Sequence, residues 1–257
     1  MNPHRSLPPR SVKAVLTDMD DTVVGASHGL GPEMAEVMDA LVDRGLGLAV
    51  VSGAALPRML EQVSAKLSRP HILVGTSGSE AVRVVPGPSG PQVRPLFRHA
   101  FSEADRAEIL DGIRALVAEF KLVPDTDEAD QIQDRGSQIT LSALGYNAPL
   151  ERKRAFDPDG SVRRAWVRRL QERLGEGRFN FRVGGTTSLD ITPLGVDKGS
   201  GVRQLIALQG WHARECLYFG DRFEETGNDH PVLAVMDCVE IRHPRETLAL
   251  FSQLAVA

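Results

Sequence analysis

Between residues 12 and 75 the chain alternates between short apolar runs and amphipathic stretches, and this alternation restricts the fold more than any other feature. Val12, Ala14, Val15 and Leu16 make the first apolar run. In PEMAEVMDALVDRG the apolar residues Met34, Val37, Met38, Leu41 and Val42 follow the i, i+3, i+4 spacing of one helix face. Pro32 suits the first turn of that helix and Gly45 its end. LGLAVVSG (46–53) is a second buried run. ALPRMLEQVSAKL predicts a second helix with Leu56, Met59, Leu60, Val63 and Leu67 on one face, and HILVG (71–75) is a third run. Strands that alternate with helices predict a parallel sheet of the α/β class.

The rhythm breaks at the turn-rich PGPSGP (86–91). SEADRAEILDGIRALVAEF (102–120) predicts a long helix opened by Ser102, with Asp105 completing a capping-box-like pattern. QITLSAL (138–144) alternates as a half-buried strand does, SVRRAWVRRLQERL (161–174) reads as a helix, and FNFRV and SLDI read as strands. In the 161–174 helix Val162, Trp166, Leu170 and Leu174 recur every fourth residue, which assigns the arginines of RRAWVRR to a solvated face. From Lys198 the first pattern resumes, with a helix over 198–208, a strand CLYFG (216–220) and a strand VLAVM (232–236). The expected organisation is an α/β core built from 1–84 and 193–257, interrupted by an α+β unit with an antiparallel sheet over 85–192.

With 257 residues and 42% apolar content the chain can bury a sizeable core, and its net charge of −4 argues against a nucleic-acid surface. Cys216 and Cys238 form no disulfide or metal framework and fit a reducing compartment. The opening MNPHRSLPPRS is polar and proline-rich, unlike a signal peptide or a membrane span. A soluble cytoplasmic protein with no membrane partner is the expectation. His28, His99, His212, His230 and His243 lack metal-ligand spacing.

Four short segments fall where core strands end at their carboxyl edge. They are Asp18-Met19-Asp20-Asp21-Thr22, Ser52-Gly53, Lys198 at a helix start, and Gly220-Asp221 through Asn228-Asp229. Ligands of open parallel sheets bind at that edge. Carboxylates crowded as Asp18, Asp20 and Asp21 are raise one another's pKa, unless a cation lies among them or they face water. Mg²⁺ takes oxygen ligands, commonly one or two carboxylates with phosphate and water, while lysine and hydroxyls hold phosphate oxygens. The set is suited to phosphoryl transfer, where positioning and charge neutralisation dominate. GDRFEETGND lacks the alternating ligands of an EF-hand loop.

In this order DMDDT, VSG, DKG and GDRFEETGND resemble the four signature motifs of the haloacid dehalogenase (HAD) superfamily. The resemblance implies a Rossmann-like core with an inserted cap. It makes Asp18 the nucleophile and Asp20 the general acid and base. Asp18, the Asp20 backbone carbonyl and Asp221 would hold Mg²⁺; Ser52, Gly53 and Lys198 would bind the phosphoryl group; Asn228 and Asp229 would orient Lys198 and the metal shell. Asp21, where the family often has glycine, is read as a backbone-positioned residue. The insert resembles a type IIB cap, as in phosphomannomutases and Cof-like sugar phosphatases. RGSQITLSALG and VGGTTSLDITPLGVDKG resemble phosphomannomutase cap stretches, which assigns Arg135, Ser188 and Asp190 to a phosphorylated sugar. The departures are Ser27, Tyr146 and Lys153, standing where the mutases carry arginine, with Lys153 still expected to face the substrate. Lysine holds phosphate as a point charge rather than a fork. The preferred reading is therefore a phosphatase of a small sugar or polyol phosphate. Phosphomannomutase is the alternative and a catalytically silent sensor a third reading. Related mutases pair through their caps, so a homodimer through the cap is the association the resemblance suggests.

Overall fold

The computed structural model describes every residue except Met1, Pro9, 26–28, Gly185, Thr226 and Ala257. The departure at Ser27 lies outside the described residues. In chain order the strands are β1 (Ala14–Asp18), β2 (Val24–Gly25), β3 (Gly29–Leu30), β4 (Gly47–Val51), β5 (His71–Gly75), β6 (Glu80–Val85), β7 (Gln92–Arg98), β8 (Ile132–Asp134), β9 (Ile139–Ser142), β10 (Phe179–Gly184), β11 (Ser188–Pro193), β12 (Cys216–Gly220) and β13 (Cys238–Glu240). The helices are α1 (Pro32–Asp43), α2 (Leu56–Gln62), α3 (Glu103–Glu119), α4 (Glu128–Gln131), α5 (Leu150–Phe156), α6 (Ser161–Leu174), α7 (Lys198–Gln209) and α8 (Pro244–Val256). The chain forms two compact units, Met1–Arg98 with Asp197–Ala257, and His99–Val196.

The first unit is a seven-stranded sheet in the order β13-β12-β1-β4-β5-β6-β7. The five strands from β13 to β5 are parallel, and β6 and β7 add antiparallel. Successive side chains of a strand point to opposite faces, and here both faces are covered. Val15, Val50, Leu73, Leu217 and Phe219 share one core with Met38, Leu41 and Phe251 from α1 and α8. Leu16, Val51, Ile72 and Tyr218 share the other with Val202 and Leu205 from α7. Two-sided burial is why the core strands read as unbroken apolar runs.

Three expectations change in this unit. PGPSGP is the turn of the β6–β7 hairpin and not a domain boundary, so residues 85–98 belong to the core sheet. The run 232–236 is not a strand: His230–Ala234 form a 3₁₀ helix with Pro231 in its first turn, and the sheet strand is β13. A short apolar run buries equally well as either element, so periodicity cannot separate them. Helix α2 ends at Gln62 and is followed by a 3₁₀ turn over Ser64–Lys66 rather than running on to Leu67.

The second unit is a four-stranded antiparallel sheet in the order β10-β11-β9-β8. Ile139, Leu141, Leu189 and Ile191 on one face pack with Ile109, Ile113 and Leu116 of α3 and Trp166, Leu170 and Leu174 of α6. Ser102 caps α3, its hydroxyl accepting from the Asp105 N–H at 3.1 Å. The arginines of α6 are not uniformly solvated. Arg163 is buried, donating to the equally buried Asp157 at 2.8 Å and to the Gly184 carbonyl at 2.8 Å. A buried arginine requires such a set of acceptors, and sequence periodicity cannot report them.

Candidate active site

Parallel pairing brings the ends of three strands to one edge of the core sheet. Asp18 closes β1 opposite Val51 of β4, so Ser52 follows beside it, and Asp221 follows β12, which pairs with β1 on the other side. Lys198 opens α7, where Asp197 caps the helix and forms a reciprocal capping box with Ser200. Lys198 is completely buried. Its ammonium donates to Asp18 Oδ1 at 2.5 Å and to Asp229 Oδ1 at 2.7 Å. Burial pulls the Lys198 pKa down, but Asp18 and Asp229 outweigh it and hold the group charged, above the ordinary lysine range.

The carboxylates respond in the opposite sense. Burial pushes Asp18 well above the usual range, Lys198 opposes this and Asp229 adds to it. Asp221 is pushed up to about 6 by burial, with Asp229 next in effect. One oxygen from each of Asp18, Asp221 and Asp229 lies within 4.8 Å of the others. When ionised, the three carboxylates outnumber the Lys198 ammonium, and burial makes that surplus of negative charge costly. A hard divalent cation such as Mg²⁺ matches the oxygen donors and offsets that surplus.

Asp229 is fully buried and the most heavily bonded residue of the group. Besides Lys198 it accepts from the Tyr218 hydroxyl at 2.5 Å and from the Arg222 N–H at 3.1 Å. Tyr218 is also fully buried, and burial, followed by Asp229, raises its pKa, so it stays a phenol and a donor. A Cβ on Gly220 would lie 2.6 Å from Asp229 Oδ2 and 2.9 Å from the Tyr218 ring, which explains the glycine. The seat of Lys198 is equally close: a Cβ on Gly201 would lie 2.6 Å from the Gly78 carbonyl oxygen.

Ser52 is buried, and its hydroxyl accepts from the Ala54 N–H at 3.0 Å. Gly53 stands next to it, 3.4 Å from the Ser77 hydroxyl if a Cβ is built on it. Asp20 is half-exposed and paired with Arg58 of α2 at 2.5 Å. Asp21 is exposed with φ of +59°, and its N–H donates to the Val24 carbonyl at 2.8 Å, the backbone role expected of it. Asn228 departs from expectation. It is exposed and, among the described residues, its side chain makes no hydrogen bond, so of the two residues Asn228 and Asp229 it is Asp229 that engages Lys198.

In the second unit the polar face of the sheet gathers Arg135, Ser188 and Asp190. Asp190 Oδ1 accepts from the Thr140 hydroxyl at 2.7 Å, and the Ser188 and Ser142 hydroxyls meet at 3.1 Å. Arg135 donates to Gln133 Oε1 at 2.6 Å. Lys153 lies on α5. It donates to the Tyr146 carbonyl at 2.9 Å and lies 5.5 Å from the centroid of the Tyr146 ring.

Sequence reasoning missed Arg58 and Tyr218. Tyr218 had a visible signal, a hydroxyl in an otherwise apolar strand two residues before Gly220, since a buried tyrosine needs a partner for its O–H. Arg58 had none, because nothing in the α2 pattern separates a paired arginine from a solvated one.

The core sheet, its insert and the acidic edge define a HAD-superfamily protein with a type IIB insert. A family model described as "Eukaryotic phosphomannomutase" matches residues 34–254, and the chain belongs to that family. A "Probable phosphomannomutase" of Caenorhabditis elegans is 25% identical over 232 residues, covering 88% of each chain. Among solved structures, Plasmodium falciparum IMP-nucleotidase superposes with a TM-score of 0.69 at 17% identity, covering 95% of this chain and 70% of that one. A phosphatase of the haloalkanoate superfamily from Bacteroides thetaiotaomicron superposes with a TM-score of 0.63 at 14% identity, covering 98% and 99%. Among the described residues no helix is long and apolar enough to cross a membrane.

Proposed function

We propose that the chain catalyses phosphoryl transfer from a small phosphorylated sugar through Asp18, with Mg²⁺ as cofactor. The observation that carries this reading is the buried Lys198 ammonium held between Asp18 and Asp229, with Asp221 in reach of both carboxylates. Asp18, the Asp20 backbone carbonyl and Asp221 would hold the metal, and Asp229 would complete its surroundings. When bound, the cation supplies charge neutralisation for the phosphoryl oxygens.

A carboxylate oxygen of Asp18 attacks phosphorus while the bond from phosphorus to the sugar oxygen breaks, and Asp20 gives that oxygen its proton. Ser52, Gly53 and Lys198 hold the phosphoryl oxygens. Asp20, now a carboxylate, then takes the proton of the acceptor hydroxyl as that oxygen attacks the aspartyl-phosphate and frees Asp18. Arg135, Lys153, Ser188 and Asp190 bind the sugar and its distal anion.

The acceptor in the first reading is another hydroxyl of the same sugar, as in a phosphomannomutase. Family membership and the likeness to proteins bearing that name support it. Hydrolysis is the second reading, and one observation favours it: Lys153, tied to the Tyr146 carbonyl and ring, stands where the resemblance calls for forked arginines. A looser clamp releases its sugar and admits water.

The deciding experiment incubates the protein and Mg²⁺ with mannose 1-phosphate or mannose 6-phosphate, with and without a hexose bisphosphate, and measures isomer exchange against free phosphate. Exchange with negligible phosphate release eliminates the phosphatase, and release without exchange eliminates the mutase. Neither process, on these or other sugar phosphates, overturns the proposal. A sensor role requires that Asp18→Asn keep full cellular function.

A further inference from the structure

The sheet of the second unit carries an array of polar side chains on the face away from its apolar core. The registers set Arg182, Asp190, Thr140 and Gln133 in one row across the four strands, and Ser188 opposite Ser142 in the next. Gln138 precedes Thr140 by two residues and so shares its face. The side chains are linked. Gln138 Nε2 donates to the Thr140 hydroxyl at 3.0 Å, and that hydroxyl donates to Asp190 at 2.7 Å.

One atom of this array has nothing to accept. Gln138 is 1% exposed, and its Oε1 lacks a hydrogen-bond partner among the described residues. The amide orientation follows from its neighbours. The single proton of the Thr140 hydroxyl goes to Asp190, so the Gln138 group facing that hydroxyl must be the donating NH₂. The carbonyl oxygen is therefore the orphan. Buried acceptors without partners are rare in folded proteins, and each calls for an explanation. The other buried orphans lie elsewhere: Arg10 in the other unit, Trp166 in the apolar core, and Thr187 in the turn before β11.

We infer that Gln138 reads the substrate: its Oε1 accepts a hydrogen bond from a ring hydroxyl of the sugar, beside the hydroxyl that Asp190 accepts. This inference rests on the sugar-phosphate reading above and extends it. Two adjacent acceptors, a carboxylate and an amide carbonyl, select a ligand that presents two neighbouring donors. The class is a sugar phosphate with free adjacent hydroxyls, rather than one alkylated or deoxygenated there. A site built to hydrogen-bond a hydroxyl rejects an analogue that lacks it, because its own polar groups are then left unpaired.

The test compares wild type with Gln138→Met, which keeps the volume and removes the acceptor. Two substrates are used: the best sugar phosphate and p-nitrophenyl phosphate, which has no ring hydroxyls. The ratio of kcat/KM for the sugar phosphate to that for p-nitrophenyl phosphate should fall tenfold or more, mainly through KM. Across a series of monodeoxy sugar phosphates, wild type should discriminate against one deoxy position that the variant no longer senses. Circular dichroism melting checks the fold, and Gln138→Leu takes its place if Gln138→Met does not fold. An unchanged ratio and an unchanged deoxy profile in a folded variant overturn the inference alone. A wild type that cleaves p-nitrophenyl phosphate but no sugar phosphate overturns the sugar reading first, and this inference with it.

Discussion

Lys198 donates to Asp18 across 180 residues of sequence, at 2.5 Å, and the same ammonium donates to Asp229 at 2.7 Å. The inserted unit lies between these residues in the chain, so the contact exists only because both parts of the core build one sheet. Breaking a buried charge set by removing one partner typically costs about 3–5 kcal/mol. Lys198→Met should therefore lower stability by that order in urea unfolding at pH 7 with chelator present. The deficit should shrink as pH falls. Asp18, already pushed above the usual range by burial, loses the Lys198 charge that opposes this shift, so the variant takes up a proton on folding and gains stability as pH drops. A pH-independent deficit would contradict this account.

Asp20 is held by Arg58 at 2.5 Å. Both side chains are partly exposed, so the pair should add only about 0–1 kcal/mol to stability. Its consequence is positional, because a general acid must sit within hydrogen-bond reach of its proton acceptor. Arg58→Gln should leave the melting temperature nearly unchanged while lowering kcat by about tenfold, inside the roughly 10²–10⁴ that general acid–base catalysis contributes. Equal kcat in the two proteins rules the positioning role out.

Gly201 packs against Gly78 so tightly that a Cβ would lie 2.6 Å from the Gly78 carbonyl oxygen. Overpacking of this kind costs about 1–3 kcal/mol. Gly201 is one turn along the helix that Lys198 opens, so the helix must shift to accept a methyl group. Gly201→Ala should lose turnover by a larger factor than an equally destabilising substitution in the second unit, such as Leu170→Ala. Parallel thermal melts and rate measurements decide between them.

Burial, with Asp229 next, pushes Asp221 up to about 6. A metal must displace that proton, so its affinity depends on pH. Mg²⁺ affinity, measured by titration calorimetry, should be nearly flat above pH 7 and weaken about tenfold per pH unit well below 6. Asp221→Asn should bind weakly and lose this component of the dependence. A wild-type affinity constant between pH 5 and 8 would exclude Asp221 as a ligand.

Much of the molecule was legible because the physics was local. Helix α6 runs over Ser161–Leu174, as its fourfold apolar spacing predicted, and β12 spans the residues of CLYFG. Asp18, Asp221 and Lys198 could be nominated because strand ends and helix starts are visible in periodicity, and because charged residues there are conspicuous. The β6–β7 hairpin was misread because a turn and a linker use the same residues. The 3₁₀ helix at His230–Ala234 was misread because the five apolar residues of VLAVM (232–236) bury equally well in either conformation.

The sequence by itself determined the periodicities, and through them the α/β core, the insert and the carboxylates at the strand ends. Only the tertiary structure decided which charges meet: Tyr218 and Lys198 on Asp229, Arg58 on Asp20, Arg163 on Asp157, and Asn228 on none of them. The division has a physical reason. Backbone hydrogen bonding and side-chain alternation act over a few residues and leave a periodic trace, whereas pairing between charges depends on a separation in space that the linear order of the residues does not encode.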